Sequence, residues 1–152
     1  MDFIFDTGGS TLWFPTSNCT GCQGWRRYNT ASSSAYVQLS ENATYLGDYN
    51  SGVWGYPCTD QVWVTISNAL QQMPCLAVYR QQNLAIPSAS GVLGLSGSTN
   101  FIERLASQGI ISKRIMSLQL NPLSESYITF GDPPPDISDD VENIEVNLYS
   151  RH

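Results

Sequence analysis

Apolar and polar positions alternate with a period of two along much of this chain. Val62, Val64 and Ile66 alternate with Trp63 and Thr65, which is the period of a strand. Cys75-Leu76-Ala77-Val78-Tyr79 is its expected partner, so the two predict a hairpin centred near Ile66 and Ser67. Met116, Leu118 and Leu120 alternate with Ser117 and Gln119. Asn121-Pro122 then turns the chain toward a second strand, Tyr127-Ile128-Thr129-Phe130. Phe3-Ile4-Phe5 reads as a short strand that delivers Asp6 to a sharp turn, with Gly8 and Gly9 permitting the tight backbone. The one clear helix runs from about Phe101 to Gln108. Asn100 can cap it, with Glu103 three residues on as in a capping box, and Gly109 fits the left-handed position that ends it. Phe101, Ile102 and Leu105 form one apolar stripe, which is core packing. Asn29 to Ser34 reads as polar loop. The predicted class is all-β with one or two short helices, and there are no internal repeats.

At 152 residues the chain fits a single domain, residues 1–152, able to bury roughly 68–70% of its unfolded surface. Only 13% of residues are charged, against about 25% in typical domains, and Lys113 is the sole lysine. The net charge of −6 argues against nucleic acid as a partner, because phosphate contacts need clustered Lys and Arg. A protein with few ion pairs loses few when carboxylates protonate, which suits an acidic compartment; an ordinary acidic surface explains the same numbers. Asp132, Asp136, Asp139 and Asp140 lie in a Pro-rich stretch that reads as a solvated loop.

The four cysteines form two local pairs. Cys19 and Cys22 bracket a Thr-Gly turn, and Cys58 and Cys75 flank the predicted hairpin. An even count at such spacing favours disulfides and an oxidising compartment. A zinc reading of Cys-x-x-Cys is poor, since the second pair is widely spaced and the only histidine is the terminal His152. Asn18-Cys19-Thr20 and Asn42-Ala43-Thr44 are glycosylation sequons. No membrane-length apolar run and no secretory signal occurs in the sequence; if the protein is secreted or vacuolar, its targeting segment is expected upstream.

Asp6 is the candidate for chemistry. Its plain reading is a turn aspartate bonded to its own backbone. Its chemical reading needs a second carboxylate, because two carboxyls held close together cannot both ionise, leaving one as acid and one as base. A Ser/His/Asp or Cys/His arrangement has no histidine to draw on beyond the terminal His152. Gly94-Leu95-Ser96-Gly97-Ser98 approaches a nucleophile elbow but lacks its last glycine.

The order Ile4-Phe5-Asp6-Thr7-Gly8-Gly9-Ser10-Thr11-Leu12-Trp13-Phe14-Pro15 resembles the first active-site segment of the pepsin-like aspartic peptidases, with Trp13 seven residues after Asp6. Cys19 and Cys22 follow as a short disulfide loop does there. Tyr45, with Gly52 seven residues on, looks like the flap hairpin that covers substrate, and Gly91-Val92-Leu93-Gly94-Leu95 looks like the segment crossing behind the catalytic loop. The resemblance runs from about Phe3 to Leu148 and implies one N-terminal lobe of that fold, cut at both ends, with the C-terminal lobe absent.

The resemblance implies an aspartic endopeptidase in which Asp6 is one catalytic half. Thr7, Gly8, Ser10 and Trp13 support the site, and Tyr45, Leu46 and Gly47 belong to the flap. It implies an indole-to-phenol hydrogen bond from Trp13 to Tyr45, a peptide or protein substrate, no cofactor or metal, and a second lobe or subunit bringing the other aspartate. Secreted, lysosomal or vacuolar residence follows the same resemblance. Three departures stand out. Gly9 replaces the family's Ser or Thr, whose hydroxyl bonds the carboxylate; Ser10 is the available substitute. Leu46 and Asp48 occupy flap positions where the family favours glycine. Gly52 to Asp60 is long and holds Cys58, which suggests an insertion pinned by a disulfide. A non-catalytic binding module on the same fold and a homodimeric protease of retroviral type are the alternatives.

Overall fold

The computed structural model describes residues 1–84, 88–96, 101–120 and 126–131. Its strands are β1 (Phe3–Asp6), β2 (Leu12–Thr20), β3 (Val37–Gln38), β4 (Thr44–Gly47), β5 (Gly52–Trp63), β6 (Ala69–Gln82), β7 (Gly91–Gly94), β8 (Met116–Gln119) and β9 (Tyr127–Phe130), with one α-helix, α1 (Phe101–Ser107). Seven strands form one sheet in the order β1-β7-β2-β6-β5-β3, with β4 on β5, and β8 pairs β9 separately.

Alternation along the central strands explains the core. Leu12, Phe14, Cys75, Ala77 and Leu93 face one side, where Phe101 and Leu105 of α1 cover them. Trp13, Leu76, Val78 and Val92 face the other, with Trp25 and Val53. A sheet covered on both faces produces the unbroken apolar run seen in Leu76-Ala77-Val78, since neither side of the strand meets water. Removing these side chains from water is the main force holding the lobe together.

The crossing segment sits as the resemblance implies. β7 slots between β1 and β2, parallel to the first (Phe3↔Gly91 through Asp6↔Gly94) and antiparallel to the second (Leu12↔Leu93, Trp13↔Val92). The β1–β2 loop therefore straddles β7. Gly94 is required at the crossing, because a Cβ there would stand 2.3 Å from the Thr11 backbone nitrogen.

The long hairpin is present, but its register differs from the expected one. Val62 pairs Leu70 and Trp63 pairs Ala69, so Cys75–Tyr79 meets β5 near Trp54 to Cys58 instead. Val64 to Asn68 forms the turn, closed by the Val64 N–H on the Asn68 carbonyl at 2.9 Å and by the Thr65 hydroxyl accepting from the Asn68 N–H at 3.1 Å. The alternation of Val64 and Ile66 thus overran the strand; local hydroxyl bonding wins there over apolar period. Gly52 to Asp60, read as an insertion, is strand and not a loop. It is the first part of β5, with irregularities at Trp54/Gly55 and Asp60/Val62. Cys58 lies directly opposite Cys75, and the two are bonded, as are Cys19 and Cys22.

Helix α1 ends as the sequence predicts. Gly109 stands at φ +69°, its N–H on the Ala106 carbonyl and the Ile110 N–H on the Leu105 carbonyl, the paired bonds of a Schellman ending. Within the polar loop, Thr30–Ser32 makes a 3₁₀ turn capped by the Asn29 side chain. β8 and β9 pair as expected from Met116↔Phe130 to Gln119↔Tyr127. Asn100, Asn121-Pro122, Gly97-Ser98, Asp132–Asp140 and His152 lie outside the described residues. Among the described residues no helix is long and apolar enough to cross a membrane.

Candidate active site

Asp6 is the last residue of β1, half-buried, and its backbone is fixed before its side chain is considered. Its carbonyl accepts the Leu95 N–H at 2.8 Å, the Gly9 carbonyl accepts the Ser96 N–H at 2.9 Å, and the Thr11 carbonyl accepts the Gly94 N–H at 3.1 Å. Three bonds from one crossing strand thus hold three points of the loop. Oδ1 of Asp6 accepts the Gly8 N–H at 2.9 Å, the self-bonded turn expected of an aspartate here. The ion pairs among the described residues are Arg26–Asp2 and Arg114–Glu103, so no basic side chain there caps Asp6. Thr7, Gly8 and Ser10 are exposed beside it. Ser10 makes no hydrogen bond to Asp6 and does not substitute for the missing hydroxyl at Gly9.

The glycines act differently from the sequence expectation. Neither Gly8 nor Gly9 has a positive φ. Gly9 supplies space: a Cβ there would lie 2.4 Å from Oδ2 of Asp6.

Tyr45 and Gly47 do lie on a hairpin. β4 pairs β5 from Thr44↔Gly55 to Gly47↔Gly52, and the turn is Asp48 to Ser51. The Asp48 carboxylate accepts the Asn50 N–H at 2.9 Å, the Ser51 N–H at 2.8 Å and the Ser51 hydroxyl at 3.0 Å. These bonds hold its carboxyl below the ordinary value, the backbone donors first. The Tyr45 hydroxyl donates to the Asp48 carbonyl and also lies 3.1 Å from the Ser51 carbonyl.

The expected bond from Trp13 to Tyr45 does not form. Strand alternation gives the reason. Tyr45 pairs Trp54 and Leu46 pairs Val53, so the two pairs face opposite sides. Leu46 and Val53 join the cluster that holds Trp13, while the Tyr45 ring packs on Trp54 at 4.6 Å. The Arg80 guanidinium lies 4.8 Å from the Trp54 ring centroid. Trp13 packs on Trp25 at 5.0 Å instead.

The sequence reading missed Asp60. It is 5% exposed and accepts from the Tyr28 hydroxyl at 2.9 Å, the Ser33 hydroxyl at 2.6 Å and the Gln61 N–H at 2.8 Å. Burial pushes the Tyr28 phenol up, and the Asp60 charge adds to it. A cavity of about 720 Å³ lies beside this cluster, lined by Phe3, Leu12, Phe14 and Phe101 among others; Asp6 does not line it. No local pattern points to Asp60, since Tyr28 and Ser33 reach it from 32 and 27 residues away.

The class that this crossed sheet and its aspartate loop define is the aspartic peptidase lobe. A family model, eukaryotic aspartyl protease, matches residues 1–146, and the chain belongs to that family. Its relatives include pepsin A of Bos taurus, 31% identical over 144 residues covering 85% of this chain and 38% of the relative. Syncephapepsin of Syncephalastrum racemosum is 30% identical over 80% of this chain and 32% of its own length. Rhizopuspepsin-4 of Rhizopus niveus is 28% identical over 94% and 39%. The chain therefore spans less than two fifths of these relatives and corresponds to their N-terminal lobe.

Proposed function

We propose that this chain supplies one half of an aspartic endopeptidase, with Asp6 as one of two facing carboxylates. The other comes from a C-terminal lobe or a second subunit. A water held between the pair loses a proton to one carboxylate and attacks the scissile carbonyl; the other carboxylic acid protonates the carbonyl oxygen, and no acyl-enzyme forms. The argument for one shared proton comes from the pepsin pair itself. Thr7 and Ser10 flank the carboxylate, and the β4–β5 hairpin is the flap over an extended peptide with apolar side chains beside the cleaved bond. The product resides in an oxidising, acidic setting, secreted, lysosomal or vacuolar.

The observation that carries this reading is the clamped loop. The crossing segment fixes the loop at Asp6, Gly9 and Thr11, yet the Asp6 carboxylate keeps Oδ2 clear of basic groups. The test is acid-dependent cleavage of an extended peptide by the protein together with its second lobe. Asp6→Asn must abolish it. Retained cleavage overturns the reading. Peptide binding without cleavage in the unaltered two-lobe protein favours the binding module, for which Gly9, lacking a hydroxyl donor, is the motivating residue.

A further inference from the structure

We propose that Asn42 carries an N-linked glycan at the base of the flap. The inference rests on the oxidising, secretory route given above and names a modification of the same hairpin.

Asn42-Ala43-Thr44 is an acceptor sequon, and its placement suits a bulky sugar. Residues 41 to 45 are all exposed. The Asn42 N–H donates to the Ser40 hydroxyl at 3.0 Å, which puts the asparagine on a bend, while no bond among the described residues engages its side-chain amide. Thr44 is the first residue of β4, so the sequon leads straight into the flap strand. Among the described residues β4 pairs only β5, leaving its outer edge open. Exposed strand edges recruit other strands, and a glycan beside one blocks that approach. The second sequon is placed differently. Asn18 lies within β2, Cys19 of its sequon is buried and bonded to Cys22, and Thr20 is in the ladder with Arg80.

The chemistry is a glycosyl transfer from a lipid-pyrophosphate-linked oligosaccharide. The Asn42 amide nitrogen forms a bond to the anomeric carbon. The bond from that carbon to the phosphate oxygen breaks, the lipid pyrophosphate leaves with the electron pair, and the amide proton passes to the transferase base. No oxidation or reduction occurs.

The test is peptide mass spectrometry of the chain made in eukaryotic cells behind a secretory leader, and again by its native route. The leader-directed protein is expected to carry a glycan on the Asn42 peptide. Asn42→Gln and Thr44→Ala should each remove it, and Thr44→Ser should retain it. The transfer takes place before export, so material held in the cell scores equally. An unmodified Asn42 in leader-directed protein, or sugar on Asn18 alone, overturns the proposal. Occupancy with the leader but not by the native route upholds the site and overturns the secretory reading instead.

Discussion

A Cβ on Gly9 would stand 2.4 Å from Oδ2 of Asp6. The aspartate therefore occupies space that any other residue at position 9 would claim. Gly8 is the control, since a Cβ there would lie at an ordinary 3.4 Å from Oδ1.

Gly9→Ala should destabilise the lobe by about 0.5–1.5 kcal/mol, the cost of turning the half-exposed Asp6 side chain off its rotamer and its Gly8 bond. Gly8→Ala should be neutral or stabilising by about 0.4–1 kcal/mol, because the unfolded chain loses freedom and nothing clashes. Urea unfolding of both variants checks this. Equal losses would show that the Asp6 carboxylate moves aside at no cost.

Asp6→Asn should leave stability within about 0.5 kcal/mol, because the amide oxygen still accepts the Gly8 N–H. Hydrolysis by the two-lobe protein should vanish, since an amide is neither base nor acid. The isolated chain, shown monomeric by sedimentation, should cleave nothing at any pH. Acid-dependent cleavage by such a monomer, removed by this substitution, would refute the two-carboxylate requirement.

Asp60→Ala should cost about 3 kcal/mol, because a buried charge with three donors is removed and those donors are orphaned. Tyr28→Phe should cost about 1.5–3 kcal/mol through the one bond it loses. Tyr28 also fixes a sign at high pH. Its folded value lies above the ordinary 10.0, so its contribution is complete below pH 10.0 and is lost as pH rises from there through the folded value. Thermal unfolding across that range, with Tyr28→Phe as the control, measures it.

What the sequence made legible was short-range. The Asp6 strand, the Gly109 helix end and the β8–β9 pair each follow from neighbours within a few positions. The two disulfide pairs followed from even count and spacing. The β4–β5 hairpin was located by the interval from Tyr45 to Gly52, but the face on which Tyr45 points was not, because that depends on the register of β4 against β5. Asp60 was invisible for a related reason: its donors arrive from a distant loop. Gly9 was read as backbone freedom and proved to be side-chain space, a distinction that only the rotamer of Asp6 settles.

Replacing Cys58 and Cys75 together by alanine should lower stability by about 3 kcal/mol, since the bond closes a loop with a sequence separation of 17. The Cys19–Cys22 bond, with a separation of 3, should be worth less, about 2 kcal/mol by the same entropy argument. Denaturant midpoints of the two double variants give the order. The reverse order would show that the short loop organises structure beyond its own closure.

The last prediction concerns the β4–β5 turn in acid. Asp48 holds the Asp48–Ser51 turn with an ionised carboxylate whose folded value is below the ordinary 3.8. A lowered carboxyl stabilises the turn fully above pH 3.8 and loses that contribution as pH falls through the folded value. The turn is thus tied down at neutral pH and loosened in strong acid. Amide protection factors at Asn50 and Ser51, corrected for intrinsic exchange, should fall across that interval. Asp48→Asn should remove the pH dependence and lower protection at neutral pH, since an amide oxygen is a weaker acceptor for three donors. Protection that stays flat with pH in the unaltered protein would mean that the Tyr45 hydroxyl and the Asp48 N–H bond to the Ser51 carbonyl hold the turn without the carboxylate.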